Sequence, residues 1–302
     1  MISQLRAWGN RKYVDVIIWR NRRSAYRERV LVVSNHWDGS VQVFYHFLLG
    51  YFAPLTVWLR KTGSKKIAVR DCGPMNQWFD LLGPEISVQI VKPGVALHTL
   101  AGNRSRHHVV TGLDYPRKHK QQRLSVAIAA MQSFLPKLDM SSAPILIIDR
   151  ATTDDFHSSS MSETEMSGAQ RRSTPNLSNV CEEILVPDSY VFADMAMIAP
   201  ASQVALAQHS RVLVAQHGAG LTHMIWMQKG STVIEIHPPL PDEAIDVFRL
   251  LARALGHHYI RIAQSHVHAD VDASDLIEAF RSVDARYLGS PPASSATSYT
   301  AH

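Results

Sequence analysis

The run Arg211-Val-Leu-Val-Ala-Gln-His217-Gly218-Ala219-Gly220-Leu-Thr-His223-Met-Ile-Trp-Met, with Ser231-Thr-Val-Ile-Glu235-Ile after Gly230, constrains this chain more than any other part. A β-rich run (Val212, Leu213, Val214) enters a turn that carries glycines, and a short apolar helix leaves it. A second β-rich run follows. The pattern predicts a strand, a tight turn, a helix and a parallel strand, the repeating unit of α/β sheets. Glycine matters at such a turn because a side chain would hold the backbone away from an anion. The free N–H groups at the start of the following helix also point partial positive charge at that anion. The turn therefore reads as a cradle for a nucleotide diphosphate.

A chain of 302 residues has room for two domains of ordinary size. Hydrophobic residues make up 46% and charged residues 19%, the balance of a folded globular protein. Lys plus Arg number 31 against 26 Asp plus Glu, and a formal charge of +5 is too small to argue for nucleic acid. It suits an anionic ligand, with basic residues gathered near Arg20–Arg29 and Arg117–Arg123, although such runs also form ordinary solvated surface. Cys72 and Cys181 stand far apart with no CxxC, which supports neither a disulfide framework nor a zinc site. No apolar run approaches the ~20 residues that cross a bilayer, and the N-terminus lacks a signal-peptide pattern. The chain as given thus reads as soluble, with no transmembrane segment; the alternative is a luminal fragment that has lost an anchor.

Along the chain, Arg29–Ser34 reads as the first strand, Asn35–Gly39 as a turn, and Ser40 as the N-cap of a helix through about Phe52. Val41, Phe44, Leu48 and Phe52 share its apolar face, which leaves Gln42, His46 and Gly50 on a narrow stripe. Ile67–Arg70 and Ile86–Val91 read as strands around a short helix Met75–Leu82, His107–Gly112 as a further strand, and residues 123–138 as a helix. Ser141-Ser-Ala-Pro144 is a linker, so an N-terminal α/β domain spans 1–143 and a C-terminal α/β domain 144–288. In the second, Ile145–Asp149 has the continuous apolar character of a doubly covered parallel strand. Residues 151–170 read as a flexible insertion, Glu182–Val186 as a strand and Ala201–His209 as a helix. Asp242–Leu255 is a helix closed by Gly256, Tyr259–Ile262 a strand and Ala273–Tyr287 a helix, before a disordered tail over 289–302. Strands alternating with helices in both halves predict two α/β domains facing a central cleft.

Arg150 follows a strand directly, and Arg171-Arg172-Ser-Thr-Pro-Asn176 comes soon after. Ligands of open α/β sheets sit beyond the carboxyl ends of strands, where Arg150 and His217 both fall. Guanidinium forks suit a diphosphate because they donate in pairs and stay charged. Glu235 on the next strand is placed to accept hydrogen bonds from a ribose.

Arg172-x-x-x-Asn176, the helix around Gln203, His217-Gly-Ala-Gly-Leu-Thr and Val233-Ile-Glu235-Ile together resemble the catalytic domain of glycosyltransferase family 61. Tyr45-His46-Phe-Leu-Leu resembles that family's N-terminal block, and Ile148-Asp-Arg150 its strand ending in Ser-Arg. The resemblance spans about residues 30–240. It implies a GT-B-like fold of two Rossmann-like domains, with a nucleotide sugar, commonly a UDP-sugar, held mainly by the second. It also implies inverting transfer of a hexosyl or pentosyl group to a hydroxyl of a glycan or glycoprotein, with no metal and no cofactor beyond the donor itself. Carried over by position, Arg150, Arg172, Asn176, His217, Gly218, Ala219 and Glu235 belong to the donor site, beside Gly220 of the same turn, and His46 lines the acceptor side. Where the family often has other residues, this chain has Leu177, Gly50, His223 and Asp149.

Inverting transfer needs a base for the acceptor hydroxyl while charge builds on the departing diphosphate. His46 and Asp38 are the candidates for that base, although His46 could equally pack in an interface and Asp38 could bond its own turn. Asp270-Val-Asp272 matches a metal-binding DxD, but its place before a helix fits a cap, with Asp272 or Ser274 in that role. His107-His108, His257-His258 and His266-x-His268 lack a complete zinc ligand set. Two alternatives of other classes are an inactive sugar-nucleotide-binding protein of the same fold and an α/β hydrolase. The latter lacks its Gly-x-Ser-x-Gly elbow, and no P-loop is present either.

Overall fold

Runs rich in Val, Ile and Leu, separated by helices, build parallel sheets because each crossover helix covers the apolar face it leaves. A computed structural model describes residues 31–32, 43–63, 65–91, 117–135, 143–150, 168–240 and 246–288. Its fold is mixed α/β with parallel sheets. The chain divides into two compact units, the first built mainly on Met1–Asp139 and the second mainly on the residues from Met140 on.

In the first unit β1 (Leu31–Val32), β2 (Lys66–Arg70) and β3 (Ser87–Val91) lie in that order, all parallel, with Ile67 opposite Val88. A helical stretch precedes β2: α-helical over Phe44–Phe47, π-helical over Leu48–Phe52, then α-helical over Ala53–Thr62. It runs a further ten residues past the end expected near Phe52. Pro54 does not stop it, because proline at the opening of an α-helical segment removes an N–H that the widened turn before it has already released. Gly63 ends it at φ 63°, its amide bonded to the Leu59 carbonyl at 2.8 Å. Phe47 stacks on Phe52, and Phe44, Phe47 and Phe52 meet Trp78 and Phe79 edge-on or tilted, which ties this helix to the 3-10 helix Gly73–Leu82. The helix expected at 123–138 instead covers Arg117–Gln132. Its first turns, Lys118 to Gln122, are polar and carry no apolar periodicity to reveal them.

The second unit holds the larger sheet, in the order β5-β4-β6-β7-β8: β4 is Ile145–Asp149, β5 Tyr190–Asp194, β6 Val212–Gln216, β7 Thr232–His237 and β8 His258–Ala263. Every pairing is parallel. One expectation fails: Glu182–Val186 is no strand, since Leu177–Ile184 is a helix that buries Leu177, Val180, Cys181 and Ile184 at helical spacing. The strand comes later, at Tyr190–Asp194. Those four residues pack with Ile145, Ile147, Val212, Val214, Ile234 and Ile236, and with Leu276 and Phe280 of the helix Ala273–Val283. Asp272 caps that helix by accepting from the Ser274 amide at 2.8 Å, the structural use of the DxD-like pair. The helix stops short of Tyr287 because Asp284 turns extended, and a 3-10 turn covers Ala285–Tyr287. Val247–Leu255 is helical and closes on Gly256 at φ 76° as expected.

No helix among the described residues is long and apolar enough to cross a membrane. The turn with Asp38, the cap at Ser40, the segments 107–112 and 151–167, the start of the 242–255 helix through residue 245 and the tail 289–302 lie outside the described residues.

Candidate functional site

The second sheet begins in its interior. β4 is followed by β5 on one side and, after a helix, by β6 on the other. Chain direction therefore diverges between β4 and β6, and the carboxyl ends of those strands frame the crevice where sheets of this order take ligands. Arg150 directly follows β4 and His217 directly follows β6. Sequence spacing had put both at strand ends; pairing makes them neighbours.

The His217 amide bonds the Ile236 carbonyl at 2.8 Å, which holds the chain on β7 for one more residue. Gly218, Ala219 and Gly220 then leave the sheet half-buried, whereas Leu221 through Met227 are buried in the 3-10 helix Ala219–Trp226 and after it. The turn is open to solvent and its continuation is core. The Leu221 amide bonds the Gly218 carbonyl at 3.0 Å, while the amides of Ala219 and Gly220 meet no acceptor among the described residues. Such bare, adjacent N–H groups are what an anion requires.

Two guanidiniums converge on this turn. Arg150 Nη2 and Arg172 Nη1 both donate to the His217 carbonyl, the latter at 3.0 Å. Gly218 is extended, so its backbone strains nothing; what its missing side chain allows is the close approach of the Arg150 guanidinium end, which a Cβ there would push aside. Burial, and then the neighbouring Arg172 and Arg171 charges, pull the Arg150 guanidinium down to about 9. Burial and Arg171 pull Arg172 down to about 10. Both remain charged at neutral pH, so together with Arg171 they leave a local excess of positive charge.

Below the turn the His217 ring is buried between Phe248 and His237, each edge-on with centroids 5.1 Å away. Its Nδ1 bonds Glu235 Oε1, and Tyr259 on β8 donates to Glu235 Oε2. Glu235 is fully buried, and its two oxygens accept from the His217 ring and the Tyr259 hydroxyl. Burial lowers the affinity of His217 for a proton and outweighs the opposing effect of Glu235. The ring is therefore neutral near pH 7, with Nδ1 carrying the proton and Nε2 the lone pair. His217, Glu235 and His237 bring ligand atoms within 4.8 Å of one another, a set that could hold a metal ion. A divalent ion there would compete with the His217 and Tyr259 bonds to the carboxylate, and the Arg172 charge acts on both His217 and Glu235.

Asn176, expected at the donor site, bonds the backbone of a segment far along the chain. Its Nδ2 donates to the Val271 carbonyl at 2.8 Å and its Oδ1 accepts from the Val271 amide at 2.9 Å. This two-point clamp pins the loop that carries Arg172. Gln216 and Gln264 complete the clamp: Gln216 Nε2 reaches Gln264 Oε1 at 2.6 Å and the Ser173 carbonyl at 2.9 Å, and Gln264 Nε2 also reaches Ser173. Sequence reasoning missed Gln216, Gln264, His237 and Tyr259. The signal available was Gln216, a polar residue ending an otherwise apolar strand. His223, where the family often has asparagine, is buried and bonds the Gly220 carbonyl through Nδ1 at 2.9 Å, bracing the turn from beneath. Burial pushes its pKa down to about 4.

His46 belongs to the first unit, half-buried and edge-on to Tyr45, just before the π-helical segment. Asp38 lies outside the described residues. The structure thus brings together Arg150, Arg172, His217, Gly218, Ala219, Gly220 and Glu235, with Asn176 as an anchor of the Arg172 loop.

The family model described as Glycosyltransferase 61 matches residues 44–234, well over half of the chain. The match includes His46, the arginines, the glycine turn and the start of β7. No curated protein matches the chain significantly.

Proposed function

Because the chain belongs to glycosyltransferase family 61, and is by that membership a glycosyltransferase, we propose that it moves a sugar with inversion from a UDP-sugar to a hydroxyl of a glycan or glycoprotein. The observation that carries this reading is the convergence of Arg150 and Arg172 on the His217 carbonyl, beside two bare amides in a solvent-open turn. As the glycosidic bond breaks, negative charge builds on the leaving diphosphate. Guanidiniums held in place before that moment stabilise it without reorganising. In this reading the second unit, from about residue 144, is the donor domain, and the two units are the two Rossmann-like domains of a GT-B enzyme. His46 is the proposed base for the acceptor hydroxyl.

Since guanidiniums supply the positive charge, the reaction needs no metal. Thermal melting with UDP, GDP and CMP tests the donor site, because a ligand that favours the native state raises the melting point. UDP should raise it most, with or without EDTA, and no shift with any nucleotide would remove the donor-site assignment. Turnover of the cognate donor should survive EDTA. A strict divalent-metal requirement would instead direct attention to His217, Glu235 and His237.

Alanine at His46 should lower kcat by about 100-fold or more, the usual contribution of a positioned base, while UDP affinity stays unchanged. Wild-type turnover in that variant would transfer the role elsewhere. UDP binding by the wild-type protein with no transfer to any acceptor would favour a sugar-nucleotide-binding protein.

A further inference from the structure

We infer that Tyr259 is a positioning residue for the donor site: through the buried carboxylate of Glu235 it fixes the tautomer and orientation of the His217 ring. The inference rests on the donor-site reading for its consequence in binding, although the relay itself stands on geometry alone. Tyr259 lies on β8, beyond the matched residues 44–234, and nothing in its local sequence marks it.

The relay has a direction. On the paired strands Glu235 faces Arg261, and Tyr259 is the diagonal neighbour two residues back on the same face. The Tyr259 hydroxyl donates to Glu235 Oε2 and accepts from Arg261 Nε at 3.3 Å, so its proton is directed at the carboxylate. Arg261 is itself held by Asp246 at 3.0 Å. Burial and the Glu235 charge raise the Tyr259 phenol well above its ordinary value, so it remains a donor throughout the working pH range. With Oε2 occupied, Glu235 presents Oε1 to His217 Nδ1, and a carboxylate there can only accept. His217 must then carry its proton on Nδ1 and keep a lone pair on Nε2, for which no partner exists among the described residues. A carboxylate that orients an imidazole from behind sets both its tautomer and its angle. At this site the result is a histidine that offers an acceptor, suited to a hydroxyl or imide N–H of a nucleoside and unsuited to a phosphate oxygen.

Removing only the hydroxyl, in Tyr259→Phe, leaves Oε2 buried without its donor. The carboxyl then gains by holding a proton of its own, which it can donate to His217 Nδ1, driving the imidazole to the Nε2–H form. Nitrogen NMR of ligand-free, histidine-labelled protein reads the tautomer directly, with the His217 signal assigned by its loss in His217→Gln. The wild type should show a protonated Nδ1 and a bare Nε2 at pH 7, and Tyr259→Phe should lose that pattern. UDP affinity should fall about fivefold to tenfold, the value of one hydrogen bond. An unchanged His217 tautomer in Tyr259→Phe overturns the inference whatever happens to UDP. Conversely, a changed tautomer with no UDP binding in either protein would count against the donor site and leave the relay standing. Should the variant fail to fold, the wild type still decides: the Tyr259 Cζ resonance must move with the same midpoint as the His217 titration. Independent midpoints overturn the relay.

Discussion

Alanine at Arg150 should weaken UDP binding about 10- to 100-fold, the effect of losing charge-assisted hydrogen bonds of about 1.5–3 kcal/mol, while the unliganded protein melts within a few degrees of wild type. The two halves of that expectation have separate causes. The guanidinium is buried beside Arg172 and Arg171, and both the desolvation and the like charges work against it in the empty site. It contributes a bond to the His217 carbonyl, which Arg172 also supplies at 3.0 Å. Its removal therefore costs the fold little and the anion site much, the usual relation between a functional residue and stability. Gly218→Ala should reproduce the loss of affinity, since the added Cβ takes the place of the guanidinium end. That end can swing aside, so the chain still folds while the charge leaves its position. Isothermal titration with UDP checks both variants; wild-type affinity in Arg150→Ala would show that the diphosphate lies elsewhere.

Acidification from pH 6.5 to about 4 should remove several kcal/mol of stability through the buried histidines alone. His217, His223 and His257 are buried, and burial lowers all three below the ordinary imidazole value, His223 to about 4. For a histidine lowered in this way the unfolded chain binds protons first as pH falls. Stability is then fully present above about 6.5 and is lost as pH drops toward the folded-state value. His223 alone contributes on the order of 3 kcal/mol over that window. Urea midpoints at pH 7 and pH 4.5 measure it. His223→Asn should flatten the dependence, and an unchanged midpoint in the wild type would mean that these rings reach solvent in the folded protein.

How far the site was legible follows from the range of each interaction. Val212–Val214, the glycines and the apolar run after them depend on residues next to one another in the chain, and all of these appeared as expected. Glu182–Val186 misled because its residues, taken five at a time, look like a strand. The helix is visible only when Leu177, Val180, Cys181 and Ile184 are read as a single face. Asn176 was placed at the donor by the family resemblance; its bonds to the Val271 backbone, 95 residues away, left no trace in the sequence. Glu235 was expected at a ribose, and what encloses it is Tyr259 from the adjacent strand.

Strand periodicity, glycine placement and the positions of the arginines sufficed for the parallel sheets, the open turn and the charge beside it, because each depends on backbone geometry within one strand-turn-helix unit. The family likeness was carried by the same short segments. Strand order could not be read that way, and with it went the neighbours of Glu235, the clamp on the Arg172 loop and the brace beneath Gly220. Those contacts join residues distant along the chain. Their geometry is set by which strands lie side by side, and alternation within a strand tells which face a side chain takes but never which strand it will meet.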